Sequence, residues 1–150
     1  MSSSSSTTRS LGRSFIRVSY HHARLFPAVA DDGVRVAKIL IIEPHADIRS
    51  LLELVVRRLG HEPMVWEGGD PEPLAADAAV IEPGEGAGLA LARRLRRLGV
   101  PVLFTSIFPP DRETLDLQPS SYLVKPFPLY ALENALSAAL APVAAHAAAV

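Results

Sequence analysis

Between Val36 and Ala141 the chain alternates short apolar runs with longer stretches in which apolar residues recur every three or four positions. Val36–Ile42 is β-branched and almost continuously apolar, the composition of a strand buried on both faces. Ile48, Leu51, Leu52, Val55 and Leu59 then follow at helical spacing and predict one inward stripe. Arg57 and Arg58 stand in the last turn and Gly60 follows, which favours termination there. A second strand is predicted over Met64–Glu67 and a third over Ala78–Ile81, with room between them for one or two helical turns around Pro71 and Pro73.

The second half repeats the alternation. A helix is predicted from Leu89 to Leu98, with Leu91, Leu95 and Leu98 inward and Arg93, Arg94, Arg96 and Arg97 outward on what reads as a solvated face. Val100–Thr105 is the fourth strand and Asp111–Leu117 at most a short helix. Ser121–Val124 is the fifth strand, and Leu129, Leu132, Leu136 and Leu140 mark a last helix from Pro128 to Ala141. Five strands alternating with about five helices, the second and fourth of them shortened, predict an α/β doubly wound parallel sheet of flavodoxin-like type.

Four of the predicted strands stop at a polar group: Glu43, Glu82, Thr105 and, after the fifth, Lys125. Open α/β sheets gather ligand-facing groups at the carboxyl ends of their strands, so these four are expected to form one site. Pro126 ends the last strand because it has no N–H to pair.

Composition bounds the rest. With 150 residues, 49% hydrophobic and 21% charged, the chain can bury one adequate core. No apolar run approaches the roughly 18 residues of a membrane span. There is no cysteine, which removes disulfides and thiolate metal sites, and the net charge of -1 argues against a general nucleic-acid binder. Residues 1–35 read as an N-terminal extension, disordered to about Gly33: Ser2–Ser6 open it, and Arg9, Arg13, Arg17 and Arg24 stand without an acid in the first 30 residues. Residues 36–141 form the domain and 142–150 an alanine-rich tail. His21 and His22 lack the spaced partners of a metal site.

Residues 36–141 resemble the receiver domain of two-component response regulators. The resemblance rests on Ile39-Leu40-Ile41-Ile42-Glu43 followed by Asp47-Ile48-Arg49, on Arg57-Arg58-Leu59-Gly60-His61-Glu62, on Thr105 and Tyr122, and on Lys125-Pro126-Phe127. It implies strand order 2-1-3-4-5, a cis Lys125–Pro126 bond, and switch and phosphate-contact roles at Thr105, Tyr122, Lys125 and Pro126. It also implies a partner surface on the fourth helix, fifth strand and fifth helix, around Leu115, Tyr122, Leu129 and Tyr130. A histidine kinase or a downstream signalling protein would dock there, or a second copy of the chain.

The departures from that family weigh as much. The acidic pair that helps to hold Mg²⁺ is reduced to Glu43, because Pro44 offers no side-chain oxygen, and the phosphoacceptor position is Glu82. Mg²⁺ wants near-octahedral oxygen ligands, so its binding is expected to be weak or lost and no metal is assigned. Phosphoryl transfer depends on positioning and charge neutralisation, so no catalytic residue is assigned either. Glu82 is then either a standing mimic of the phosphorylated state, paired with Lys125, or a relic in a scaffold. The scaffold is preferred, because one carboxylate carries less charge than an acyl phosphate.

The expected function is a stand-alone, phosphorylation-independent receiver-like adaptor of a phosphorelay, non-enzymatic and cytoplasmic, binding neither nucleic acid nor membrane. The alternative is a nucleotide- or phosphate-binding domain using Gly84-Glu85-Gly86-Ala87-Gly88. That loop follows the third strand rather than the first and has the wrong glycine spacing, with Glu82 and Glu85 beside it repelling phosphate.

Overall fold

The computed structural model describes residues 35–66, 68–69, 75–84 and 86–141. Its elements run β1 (Lys38–Ile42), α1 (Ala46–Arg58), β2 (Glu62–Val65), β3 (Ala78–Ile81), α2 (Gly88–Arg97), β4 (Val102–Ser106), α3 (Arg112–Asp116), β5 (Ser121–Val124) and α4 (Leu129–Leu140). The five strands pair in parallel in the order β2-β1-β3-β4-β5, as expected. The Pro71–Pro73 segment, residues 1–34 of the N-terminal extension and the alanine-rich tail lie outside the described residues. The expected fourth and fifth helices are therefore α3 and α4 here.

Alternation along the strands builds two cores. Ile39, Ile41, Ala78, Val80 and Leu103 point to one face, where Leu52, Val55 and Val56 of α1 and Leu132 and Leu136 of α4 cover them. Leu40, Ile42, Ala79, Ile81, Val102 and Phe104 point to the other, against Leu91, Ala92 and Leu95 of α2. Each of the larger of these side chains, the valines, leucines, isoleucines and Phe104, contributes about 1.5–3 kcal/mol on burial.

Two inward assignments differ from the periodicity. Leu51 is 43% exposed and Val56 takes its place, because Leu51 and Leu52 lie about 100° apart around the helix and Leu52, Val55 and Val56 define the covered arc. Leu98 is 65% exposed, since it is the C-cap just beyond α2, and Ala92 is buried instead. The strand bounds shift as well. β2 starts at Glu62 and ends at Val65, because Lys38 of β1 pairs with Glu62. β4 runs through Ser106, which pairs with Val124.

The helix ends differ in kind. α1 and α2 close in the same way. Gly60 and Gly99 take φ of 81° and 78°, and the next amides, His61 and Val100, donate back to the Val56 and Leu95 carbonyls. α3 starts on a capping box between Asp111 and Thr114. It ends on Gln118, which sits at φ 49° without a glycine's freedom and is followed by Pro119, which has no N–H for the second closing bond. Gln118→Gly is therefore expected to raise the unfolding free energy by on the order of 1 kcal/mol. A denaturant melt should show a higher midpoint at unchanged slope, and a lower midpoint would refute the strain at this residue.

Candidate functional site

Strand register brings the polar strand ends together. Ile42 pairs with Ile81 and Ile81 with Phe104, so Glu43, Glu82 and Thr105 stand side by side one residue further on. By alternation all three share the face covered by α1 and α4. Lys125 follows β5, and the Lys125–Pro126 bond is cis, as the resemblance implies.

The Lys125 ammonium lies between two carboxylates. Its Nζ donates to Glu43 Oε2 at 2.6 Å and to Glu82 Oε2 at 3.0 Å. The other two oxygens are taken as well. Glu43 Oε1 accepts the His45 amide at 3.0 Å and lies 3.0 Å from the His45 ring Nδ1, and Glu82 Oε1 accepts the Gly84 amide at 3.0 Å. Arg49 adds a bond from its guanidinium to the Glu43 carbonyl at 3.0 Å. Side-chain exposure is 0% for Glu43, 8% for Glu82 and 11% for Lys125, so the network is buried.

Opposing effects set the charge states. Burial pushes the Glu43 carboxyl up, but the bonds from Lys125 and His45 outweigh it and hold it below its ordinary value. Burial pushes Lys125 down, and the bonds to Glu43 and Glu82 outweigh that and leave it raised.

The remaining predicted residues do not join this network. Thr105 is fully buried and its hydroxyl has no hydrogen-bond partner among the described residues. Tyr122 turns to the opposite face, its ring edge-on to Phe104 at 6.0 Å and its hydroxyl donating to the Phe108 carbonyl at 3.0 Å. Pro44 and Pro126 are exposed. The sequence reading missed His45, Arg49 and the Gly84 amide as partners of the carboxylates. A backbone donor has no sequence signature, although a residue two positions after a strand-end acid is within reach of its oxygens.

The site does not fit Mg²⁺. All four carboxylate oxygens already have partners, Pro44 supplies none, and among the described residues no cluster of three His, Asp or Glu could hold a metal ion. The glycine-rich loop is no phosphate cradle in this arrangement. Its Gly84 amide is given to Glu82, and a Cβ on Gly88 would lie 2.2 Å from the Glu82 carbonyl oxygen, so α2 starts packed directly on β3.

With sheet order, register and the Lys125 site in place, the fold is the one seen in solved response-regulator receiver structures. A two-component response regulator from Clostridium difficile superposes with a TM-score of 0.61 at 22% identity, over 69% of this chain and 95% of that one. The chemotaxis protein CheY4 of Vibrio cholerae gives 0.59 at 18% identity, over 68% and 97%. A response regulator from Thermotoga maritima gives 0.60 at 16% identity, over 71% and 99%. No family model and no curated protein matches the sequence.

Lys125→Met leaves two buried carboxylates facing each other and is expected to cost about 3–5 kcal/mol at neutral pH. Glu82→Gln leaves Lys125 paired with Glu43 and is expected to cost far less. In the wild type the depressed Glu43 contributes stability that is present above about pH 4.3 and lost as pH falls through its lower folded value. The raised Lys125 contributes stability that is fully present below about pH 10.4 and lost as pH rises through its higher folded value. Denaturant melts across pH should therefore show the deficit of Lys125→Met narrowing as pH falls, because burial and mutual repulsion favour protonation of the stranded carboxylates. A deficit that does not depend on pH would mean that Lys125 acts by packing alone.

Proposed function

We propose that this chain is a receiver-like signalling adaptor whose conformation does not depend on phosphorylation. The observation that carries this reading is Lys125 held between Glu43 and Glu82 with every carboxylate oxygen engaged. The group that would neutralise a transferred phosphoryl is already neutralising the protein's own carboxylates, and the position that would accept the phosphoryl is a glutamate in that same network. Neither Mg²⁺ nor a phosphodonor is part of the mechanism, and the chain is not an enzyme.

Between mimic and scaffold, the scaffold is better supported. A standing mimic of the phosphorylated state would draw in the Thr105 hydroxyl as well as Lys125, yet that hydroxyl has no partner among the described residues and Tyr122 is bonded to Phe108. Glu82 serves as one arm of a buried staple that ties the carboxyl ends of β1 and β3 to Lys125. The partner is a protein, either a histidine kinase or a downstream signalling protein, and a second copy of the chain could take the same place. Its docking surface is the α3–β5–α4 side, where Leu115, Val124, Leu129 and Tyr130 are exposed beside Ile107 and Phe108 of the preceding loop. No described helix is long and apolar enough to cross a membrane, which is consistent with the cytoplasmic setting proposed here.

Incubation with a small phosphodonor and Mg²⁺ is expected to leave the intact mass unchanged. A gain of one phosphate that disappears in Glu82→Gln would overturn this reading. Pro44→Asp combined with Glu82→Asp frees Lys125 from one of its partners and adds a metal-facing carboxylate. Some phosphorylation is expected in that double variant, limited by the close contact of Gly88 with the Glu82 backbone.

A further inference from the structure

α3 is the least anchored element of the sheet's second face. It has five residues, buries only Thr114, and ends on Gln118 and Pro119, where the Gln118 amide donates to the Leu115 carbonyl but the second closing bond of α1 and α2 is missing. A helix this short does not hold itself in water. Its ties to the body come from α2. Arg96 Nε donates to the Leu117 carbonyl at 3.0 Å, and Arg93 pairs with Glu113. Leu117 is the C-cap of α3, so Arg96 supplies both a hydrogen bond and a positive charge where carbonyls are left without partners.

We infer that Arg96, helped by Arg93, is the positioning residue that holds α3 in one arrangement, independently of the Glu43–Lys125–Glu82 network. The inference rests on the adaptor reading, in which the α3 side carries the docking surface, and it names what fixes that surface. The two Arg93 and Glu113 side chains are exposed, and such pairs contribute little on their own. The Arg96 bond is partly buried and charge-assisted, which makes it the stronger tie. Nothing in it reaches the Lys125 site: Arg96 bonds to the far end of α3, and Lys125 faces the core under α1 and α4.

Native-state hydrogen exchange of the α3 amides of Leu115 and Gln118, which donate to Asp111 and Leu115, reads this directly. Arg96→Met keeps the aliphatic stem and removes the cation. It is expected to lower protection at these amides by about tenfold while the α1 amides of Leu59 and His61 keep theirs. Glu82→Gln is expected to leave the α3 amides within about twofold of wild type. Adding Gln118→Gly to Arg96→Met is expected to restore several-fold protection by giving α3 the glycine ending of its neighbours. The inference is overturned if Arg96→Met leaves α3 unchanged, if Glu82→Gln loosens α3 as much as Arg96→Met, or if Gln118→Gly gives no rescue. A phosphoryl adduct in the mass assay would defeat the adaptor reading while leaving these exchange results standing, so the two failures are distinguishable.

Discussion

One ammonium buried between two carboxylates is the interaction on which the functional edge of this protein depends. Desolvating three charges is costly, and a buried pair gains from its Coulomb attraction only where the remaining lone pairs are also satisfied. Here they are: His45 covers Glu43 and Gly84 covers Glu82, with Lys125 reaching both. Two carboxylates against one ammonium leave an excess negative charge, and the Arg49 guanidinium, bonded to the Glu43 carbonyl, stands beside it. Two of the three Lys125 N–H donors are thereby committed to the protein's own carboxylates.

Side-chain length explains why glutamate rather than aspartate closes this network. The extra methylene adds about 1.5 Å of reach. It lets one carboxylate at the end of β3 meet Lys125 across β4 while its second oxygen turns back to the Gly84 amide in its own loop. The turn after β3 is part of the same geometry. Gly88 brings α2 against the Glu82 carbonyl, where a Cβ would lie 2.2 Å from the oxygen. Glu82, Gly84 and Gly88 thus read as one local solution in which the β3–α2 turn is built around a carboxylate.

Much of this was legible in the chain. Ala78–Ile81 and Ser121–Val124 match the predicted strands residue for residue, because a short apolar run bounded by turn residues leaves little freedom in where a buried strand stops. Glu43, Glu82 and Lys125 converge because register in a parallel sheet aligns the strand ends. What periodicity missed has a physical cause in each case. Leu51 falls just outside the arc that Leu52, Val55 and Val56 bury, and only the packed helix shows where that arc ends. The arginines of α2 read as a solvated face because a local pattern carries no information about a partner helix some twenty residues away, yet Arg93 and Arg96 both reach α3. The alternation of β4 placed Thr105 at the site but said nothing of whether its hydroxyl would find a partner.

A conformational switch needs a ligand that distinguishes two states, since binding shifts an equilibrium only by the difference in affinity between them. On the proposed adaptor reading, a site whose carboxylates and lysine satisfy one another presents no such difference to a phosphodonor. The arrangement of α3 must then be set by interactions present in every molecule, and the bonds from Arg93 and Arg96 are of that kind. This separates two functions that one phosphoryl group could otherwise join. The buried staple stabilises the sheet edge, while the surface clamp fixes the helix beside the exposed apolar side chains. On the proposed adaptor reading, a chain built this way would offer its partner the same face at all times. Its signalling would then be governed by the amount of protein and by competition for that face rather than by chemistry at Glu82.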